Sequence, residues 1–236
     1  MKHAYWLGHS SFLFITSSGK RLLIDPFLKD NPVTPEAWKT PDSIDYIFLT
    51  HGHDDHAADV LELAKNHQAK VISIVELSGL LKADGLPAEL AVEMNKGGTI
   101  NFGDFKVTMT SANHSSSWKG AYAGDPAGFI FSFQSLSVYH AGDTNIMSDF
   151  TLYSALYKPD VAILPIGDHY TMGPTEASFA CEMLKAKYAV PMHYGTMPVL
   201  TGDPEVFRMK TEKRTENYTT VITPEPGVDF NHQLVL

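Results

Sequence analysis

The sequence of 236 residues contains one cysteine, Cys181, so no disulfide can form within the chain, and that usage fits a reducing compartment. Cys181 falls in a predicted helix over 174–186 with no histidine or basic residue beside it to lower its pKa, which makes it a buried core thiol rather than a nucleophile. Long apolar runs are lacking too. No stretch approaches the ~20 apolar residues of a membrane span, and after Lys2 the pattern is interrupted by Gly8, His9 and Ser10, which excludes a signal-peptide core. Basic residues are scarce: Lys and Arg total 18 against 27 Asp and Glu, a net charge of −9 that disfavours a nucleic-acid surface. No repeat or low-complexity tract stands out. The expectation is a cytoplasmic protein acting on a small molecule, without nucleic-acid or membrane partners, with a homo-oligomer left open. Its 44% hydrophobic content is enough to build one domain over residues 1–236.

What is present is histidine and aspartate in an unusual pattern. The stretch Thr50-His51-Gly52-His53-Asp54-Asp55-His56 offers His51, His53, Asp55 and His56 as metal ligands. Imidazole and carboxylate suit Zn²⁺ and other borderline divalent ions. The run 46–49 reads as a short buried strand and 57–64 as a helix, so the ligands lie in a strand-to-helix turn. A turn lets two pairs converge from different sides, with His51 and His53 on one ion and Asp55 and His56 on a second. The bland alternative, a polar loop with Asp55 as a helix cap, explains one residue of the four.

Other strand ends repeat the theme. Strands are predicted at 3–7, 10–16 and 21–25, with a hairpin turn at 17–20, and the third ends at Asp25, placed either to orient a ligand histidine or to cap a loop. Residues 27–43, with Pro32, Pro35 and Pro41, form a long loop able to wall the site. A strand at 71–74, a helix at 75–83 and strands at 90–94 and 105–112 lead to His114, a third ligand for the first ion. The hairpin 128–133 and 136–140 delivers Asp143, beside a glycine that allows close backbone approach and able to bridge two ions. A helix over 146–157 and a strand over 161–165 open into a loop with Asp168 and His169 as pocket candidates, before a helix starting at Pro174. The strand 188–192 ends at His193. A helix at 204–214 and strands at 218–222 and 229–235 carry no ligand pattern, and His3, His67 and His232 read as surface residues. Ligand-type residues at so many strand ends point to a dinuclear site along one sheet edge.

In this order and spacing, THGHDDH, His114, Asp143 and His193 resemble the metallo-β-lactamase superfamily. More narrowly, GHSSF (8–12), LIDPF (23–27), HSSSW (114–118), YHAGDT (139–144), LPIGDHYTMGP (164–174) and PMHYGT (191–196) resemble a bacterial and archaeal family of metal-dependent hydrolases related to L-ascorbate-6-phosphate lactonase. The resemblance implies an α/β fold, a four-layer αββα sandwich of two similar halves with metals at one edge. It assigns His51, His53 and His114 to the first ion, Asp55, His56 and His193 to the second, and Asp143 to both. The best-known antibiotic-degrading subclass has cysteine where Asp143 stands, and flavodiiron proteins have glutamate where His53 stands, so neither activity is expected.

The expected chemistry is hydrolysis of a small ester, lactone, thioester or phosphodiester by a hydroxide held between two divalent ions about 3.5 to 4 Å apart. Zn²⁺ is the expected metal, with Mn²⁺, Ni²⁺ or Fe²⁺ also suited to the donors. Asp55 or His169 is placed to shuttle a proton to the leaving group, and His9 and His140 read as pocket or supporting residues. The competing readings are a metal-dependent binding or sensing protein with little turnover, and a metal-dependent nuclease or phosphodiesterase, which the acidic balance disfavours.

Overall fold

The computed structural model describes residues 1–235. Its first sheet is laid down in chain order by β1 (His3–Trp6), β2 (Phe12–Ile15), β3 (Arg21–Ile24), β4 (Tyr46–Phe48), β5 (Lys70–Ile74) and β6 (Ala91–Met94). β1 to β3 are antiparallel, joined by tight turns, whereas β3 to β6 are parallel. Parallel neighbours need crossovers. These carry α1 (Asp54–Ala57), α2 (Val60–His67) and α3 (Val75–Ala83).

The second sheet contains β7 (Thr99–Asn101) and β8 (Phe105–Ser111), followed after a small ribbon of β9 (Ser117–Trp118) and β10 (Ala121–Tyr122) by β11 (Ala127–Phe133), β12 (Ser137–His140), β13 (Val161–Pro165), β14 (Tyr188–Met192) and β15 (Thr220–Val221). Its helices are α4 (Asp149–Tyr157), α5 (Pro174–Leu184) and α6 (Pro204–Arg214). With β7 set aside, both sheets follow one plan: three antiparallel strands, then three added in parallel. The result is a four-layer αββα sandwich.

Strand alternation fills both interfaces of the second sheet. Along β11, Phe129, Phe131 and Phe133 face the first sheet while Ile130 faces the helices. Phe48 meets Phe131 at 5.0 Å and Phe129 at 5.6 Å between ring centroids, and Phe14 meets Phe131 at 5.5 Å, all edge to face. Beneath α4 to α6, Tyr139, Leu164, Phe150, Cys181 and Phe207 close the other interface. Each fully buried phenylalanine stabilises the fold by about 1.5–3 kcal/mol relative to exposure.

Strand direction then fixes the site. β1, β3 and β4 run one way in the first sheet, and β8, β12, β13 and β14 share one direction in the second. Their C-terminal ends therefore emerge together, the usual place for a site in α/β architecture.

Several sequence expectations change. The helix expected over 57–64 is split into α1 and α2, because Asp59 Oδ2 accepts the Leu28 and Lys29 amides at 2.7 and 3.1 Å and holds the backbone out of helical geometry. The helix expected from 146 begins at Asp149, and the strand expected over 218–222 shrinks to β15. The strand expected over 229–235 is a short turn: Asp229 Oδ1 accepts from Ala4 and Asn231 amides at 3.1 and 3.0 Å, leaving only a Tyr5–Asp229 bridge. β7 escaped prediction because its three residues are polar or only half-buried, with no apolar alternation to signal it.

Candidate metal centre

β4 ends in a turn too crowded for any side chain at residue 52. A Cβ on Gly52 would lie 2.8 Å from the Ser117 carbonyl oxygen, so His51 and His53 can flank this point only with glycine between them. His53 takes the N-cap position of α1 with extended backbone, and α1 carries Asp55 and His56 in its single turn. Asp55 caps nothing, which removes the bland alternative.

His51, His53 and His114 bring ring nitrogens within 4.8 Å of one another, and in a second group the ring nitrogens of His9, His56 and His193 and a carboxylate oxygen of Asp55 lie equally close. Asp143 lies between the two. Its Oδ2 is 3.0 Å from His193 Nε2, 3.3 Å from His56 Nε2 and 3.6 Å from His114 Nε2. Gly142 makes this approach possible: its φ is +64°, and a Cβ there would stand 2.4 Å from the Ala127 carbonyl oxygen. Asp143 Oδ1 and His193 Nδ1 are buried without a hydrogen-bond partner, and His56 Nε2 has only ionic contacts, the shorter with Asp143 Oδ2 at 3.3 Å. Buried polar atoms of this kind are costly unless a ligand engages them, so the donors fit a bound cation.

The electrostatics agree. Burial holds the His51 imidazole well below its ordinary pKa and lowers His53 and His114, leaving neutral rings with lone pairs to donate. Burial works against a charged His56 as well, yet the Asp143, Asp55 and Asp25 carboxylates around it keep its pKa well above the ordinary value. Burial alone would raise Asp143 and Asp55, but neighbouring histidines hold both below the usual carboxylate range. The centre therefore combines imidazoles that disfavour a proton with ionised carboxylates, and a divalent cation would displace the proton that His56 favours.

Asp25 is an orienter. It is fully buried and accepts from the Thr50 amide at 2.8 Å, the Thr50 hydroxyl at 2.7 Å and His56 Nδ1 at 2.8 Å, which leaves His56 Nε2 aimed at Asp143. His140 serves the scaffold: Nε2 donates to the Ser10 carbonyl at 3.1 Å and Nδ1 accepts from the Gly142 amide at 3.2 Å. His9 is buried, its pKa lowered to about 4 by that burial, and its Nε2 is 3.1 Å from Asp55 Oδ2.

A cavity of about 300 Å³ opens over the centre, lined by His53, Asp55, His114, Ser115, Asp143, Tyr170 and His193. The loop after β13 thus contributes Tyr170, while Asp168 and His169 lie exposed on the rim with positive φ of 62° and 56°. Neither Tyr170 nor Ser115 is of a residue type that announces a site; the sequence signal for each is its place beside His169 or His114. The loop 27–43 approaches the centre through Phe27, whose ring is 5.9 Å from that of His9. Farther along it packs on β1, with Trp38 4.8 Å from Tyr5. His3 is not simply solvated: its Nδ1 lies 2.6 Å from Asp229 Oδ2. A second cavity of about 460 Å³ shares His114 with the first and is lined largely by polar groups, among them Lys96, Asn113, Asp125, Ser148 and Asp149.

The family model for the beta-lactamase superfamily domain matches residues 3–193. A UPF0173 metal-dependent hydrolase of Herpetosiphon aurantiacus is 44% identical over 228 residues, spanning 94% of each chain. One from Methanosarcina barkeri is 41% identical over 231 residues, spanning 95% of this chain and 97% of its own. Among solved structures, a metallo hydrolase of the archaeon Ignicoccus hospitalis superposes with a TM-score of 0.85 at 33% identity over 96% of both chains. No helix among the described residues is long and apolar enough to cross a membrane.

Proposed function

The chain belongs to the metallo-β-lactamase superfamily and is a metal-dependent hydrolase, and we propose that it uses two divalent ions to cleave a small ester, lactone, thioester or phosphodiester. His51, His53 and His114 would hold one ion, Asp55, His56 and His193 the other, and Asp143 would serve both. The observation that carries this reading is the Asp143 carboxylate, with one oxygen within 3.6 Å of histidines from both groups and the other buried without a partner. Zn²⁺ is the metal best suited to these donors, with Mn²⁺, Ni²⁺ and Fe²⁺ as substitutes.

When bound, such a pair supplies a hydroxide nucleophile at neutral pH and polarises the substrate oxygen. The protein's own groups do the rest. Asp143 stays ionised between His56 and His193 and balances cationic charge. Asp25 keeps the His56 ring turned inward. Asp55 lines the cavity and is the better placed of the two proton-transfer residues, His169 standing on the rim. Lys96 is neutralised by Asp125 at 2.6 Å, which leaves the neighbouring cavity polar and slightly acidic. That lining favours a substrate tail that is polar and not anionic.

The test is turnover of metal-reconstituted protein on a panel of lactones, thioesters and phosphodiesters, with Asp143→Asn alongside. One class should be cleaved, and the variant should lose turnover far more than substrate binding. Cleavage that survives in Asp143→Asn, or no cleavage of any class by protein loaded with two ions, would overturn the proposal.

A further inference from the structure

His9 belongs to neither expected ligand set, yet it stands against the second. It follows β1 in the left-handed region, with φ of 54°, a conformation that a histidine adopts only when its surroundings impose it. Those surroundings come from both halves of the molecule. The His9 carbonyl accepts from the His193 amide at 3.1 Å and from the Trp6 indole at 2.9 Å, and Trp6 stacks on Tyr194 at 5.1 Å. The His9 and His193 rings lie 4.1 Å apart. The side chain is fully buried, so its two nitrogens must find partners inside the protein.

Both do. Nε2 is 3.1 Å from Asp55 Oδ2, and Nδ1 is 2.6 Å from Thr196 Oγ1. The donors follow from chemistry. An ionised carboxylate only accepts, so Nε2 carries the hydrogen and donates to Asp55. A neutral ring has one N–H, so Nδ1 is bare and accepts from the Thr196 hydroxyl. The chain Thr196–His9–Asp55 thus runs from the loop after β14 to α1, and it fixes both the tautomer of His9 and the rotation of the Asp55 carboxylate.

We propose that His9 is a positioning residue for Asp55, held in the required tautomer by Thr196, and that it sets cation affinity at the Asp55–His56–His193 position while leaving the His51–His53–His114 position unaffected. The inference rests on the two-ion reading above. It treats His9 as a support for a ligand, in contrast to the alternative that its Nε2 itself joins the second ion.

Stepwise Zn²⁺ binding to metal-free protein, measured by competition with a chromophoric chelator, separates these readings without any substrate. Wild type should bind two equivalents. His9→Ala should weaken the second by about 10- to 100-fold, the usual cost of losing an outer-shell partner, and leave the first unchanged. His9→Gln, whose terminal amide can still donate to Asp55, should recover most of the loss, and Thr196→Val should show a smaller weakening of the same equivalent. Equal losses in His9→Ala and His9→Gln would overturn the proposal by making His9 a direct ligand. An unchanged second equivalent in His9→Ala would overturn it by making the contact idle. A single equivalent in wild type would instead bring down the two-ion reading, and that result is visible before any variant is made. Thermal melts of the metal-free proteins accompany the titrations; if His9→Ala does not fold, His9→Gln and Thr196→Val decide, an unchanged second equivalent in Thr196→Val then counting against the relay.

Discussion

The turn after β4 and the turn after β13 occupy matching places in the two halves, each leaving a parallel strand at the same edge and each entering a helix. Both offer histidine and aspartate. In the first, His51 and His56 are completely buried and Asp55 lines the cavity; in the second, Asp168 and His169 are exposed and only Tyr170 turns toward the centre. The difference lies in what surrounds the side chains. The first turn is wedged between Ser117 and the Asp25 carboxylate, which order its backbone and its rings. The second is an open bend of two left-handed residues bonded chiefly within itself, with Tyr170 and Thr171 amides donating to the Asp168 carbonyl. Equivalent topology and similar residues thus give a donor cluster in one half and a rim in the other.

Paired substitutions test this contrast most directly. His51→Ala should abolish tight binding of one ion and lower turnover by about 10³-fold or more, the scale of losing an essential group. His169→Gln should leave both ions bound, by elemental analysis, and lower kcat by no more than about tenfold. A loss near 10²-fold or greater with full metal content would show instead that His169 is the proton-transfer residue, and the two turns would then divide binding and proton transfer between them.

A subtler substitution asks how much of the first turn's behaviour comes from its support. Asp25→Asn preserves shape but removes the charge that pairs with His56 and weakens acceptance from Thr50. Cation affinity at the second position should fall by about 10- to 100-fold, with the far-UV circular dichroism spectrum unchanged. An affinity equal to wild type would mean that β4 and α1 alone orient His56.

The same contrast explains what was legible in the sequence. His51, His53, Asp55 and His56 stood out because four donors crowd one short turn, and His114, Asp143 and His193 because each follows a strand whose alternation is readable. Strand direction then brings them together. The roles of Asp25, His9 and Asp168 stay open between alternatives in the sequence, since one aspartate or histidine after a strand looks the same whether it meets a distant carboxylate, a buried ring or water. Asp25 and His9 are defined by partners 31 and 187 residues away. Among the elements, long apolar ones such as β13, β14 and α3 were found intact, while the break at Asp59 and the turn at Asp229 depend on side chains that capture amides from other segments.

The smallest effect concerns the foundation of the exposed turn, the helix α5 that follows it. Cys181 lies on the inner face of α5 against Thr211 of α6, with its thiol pushed up from 9.0 to about 12 by burial. A folded pKa above the unfolded one means that the native state keeps a proton that the unfolded chain releases. Stability from this thiol is therefore fully present below pH 9 and is lost progressively as pH rises from there toward about 12. Tyr194, raised from 10.0 to about 12 by burial, acts in the same direction from pH 10 upward. One proton contributes a slope of at most about 1.4 kcal/mol per pH unit. Cys181→Ala will lower stability at every pH by leaving a small cavity, so the informative quantity is the slope. Urea midpoints of the metal-free proteins between about pH 8 and 11 should fall less steeply for Cys181→Ala than for wild type. Parallel slopes would show that the thiol titrates normally, and hence that α5 opens readily enough to give the exposed turn a mobile base where the buried turn has a fixed one.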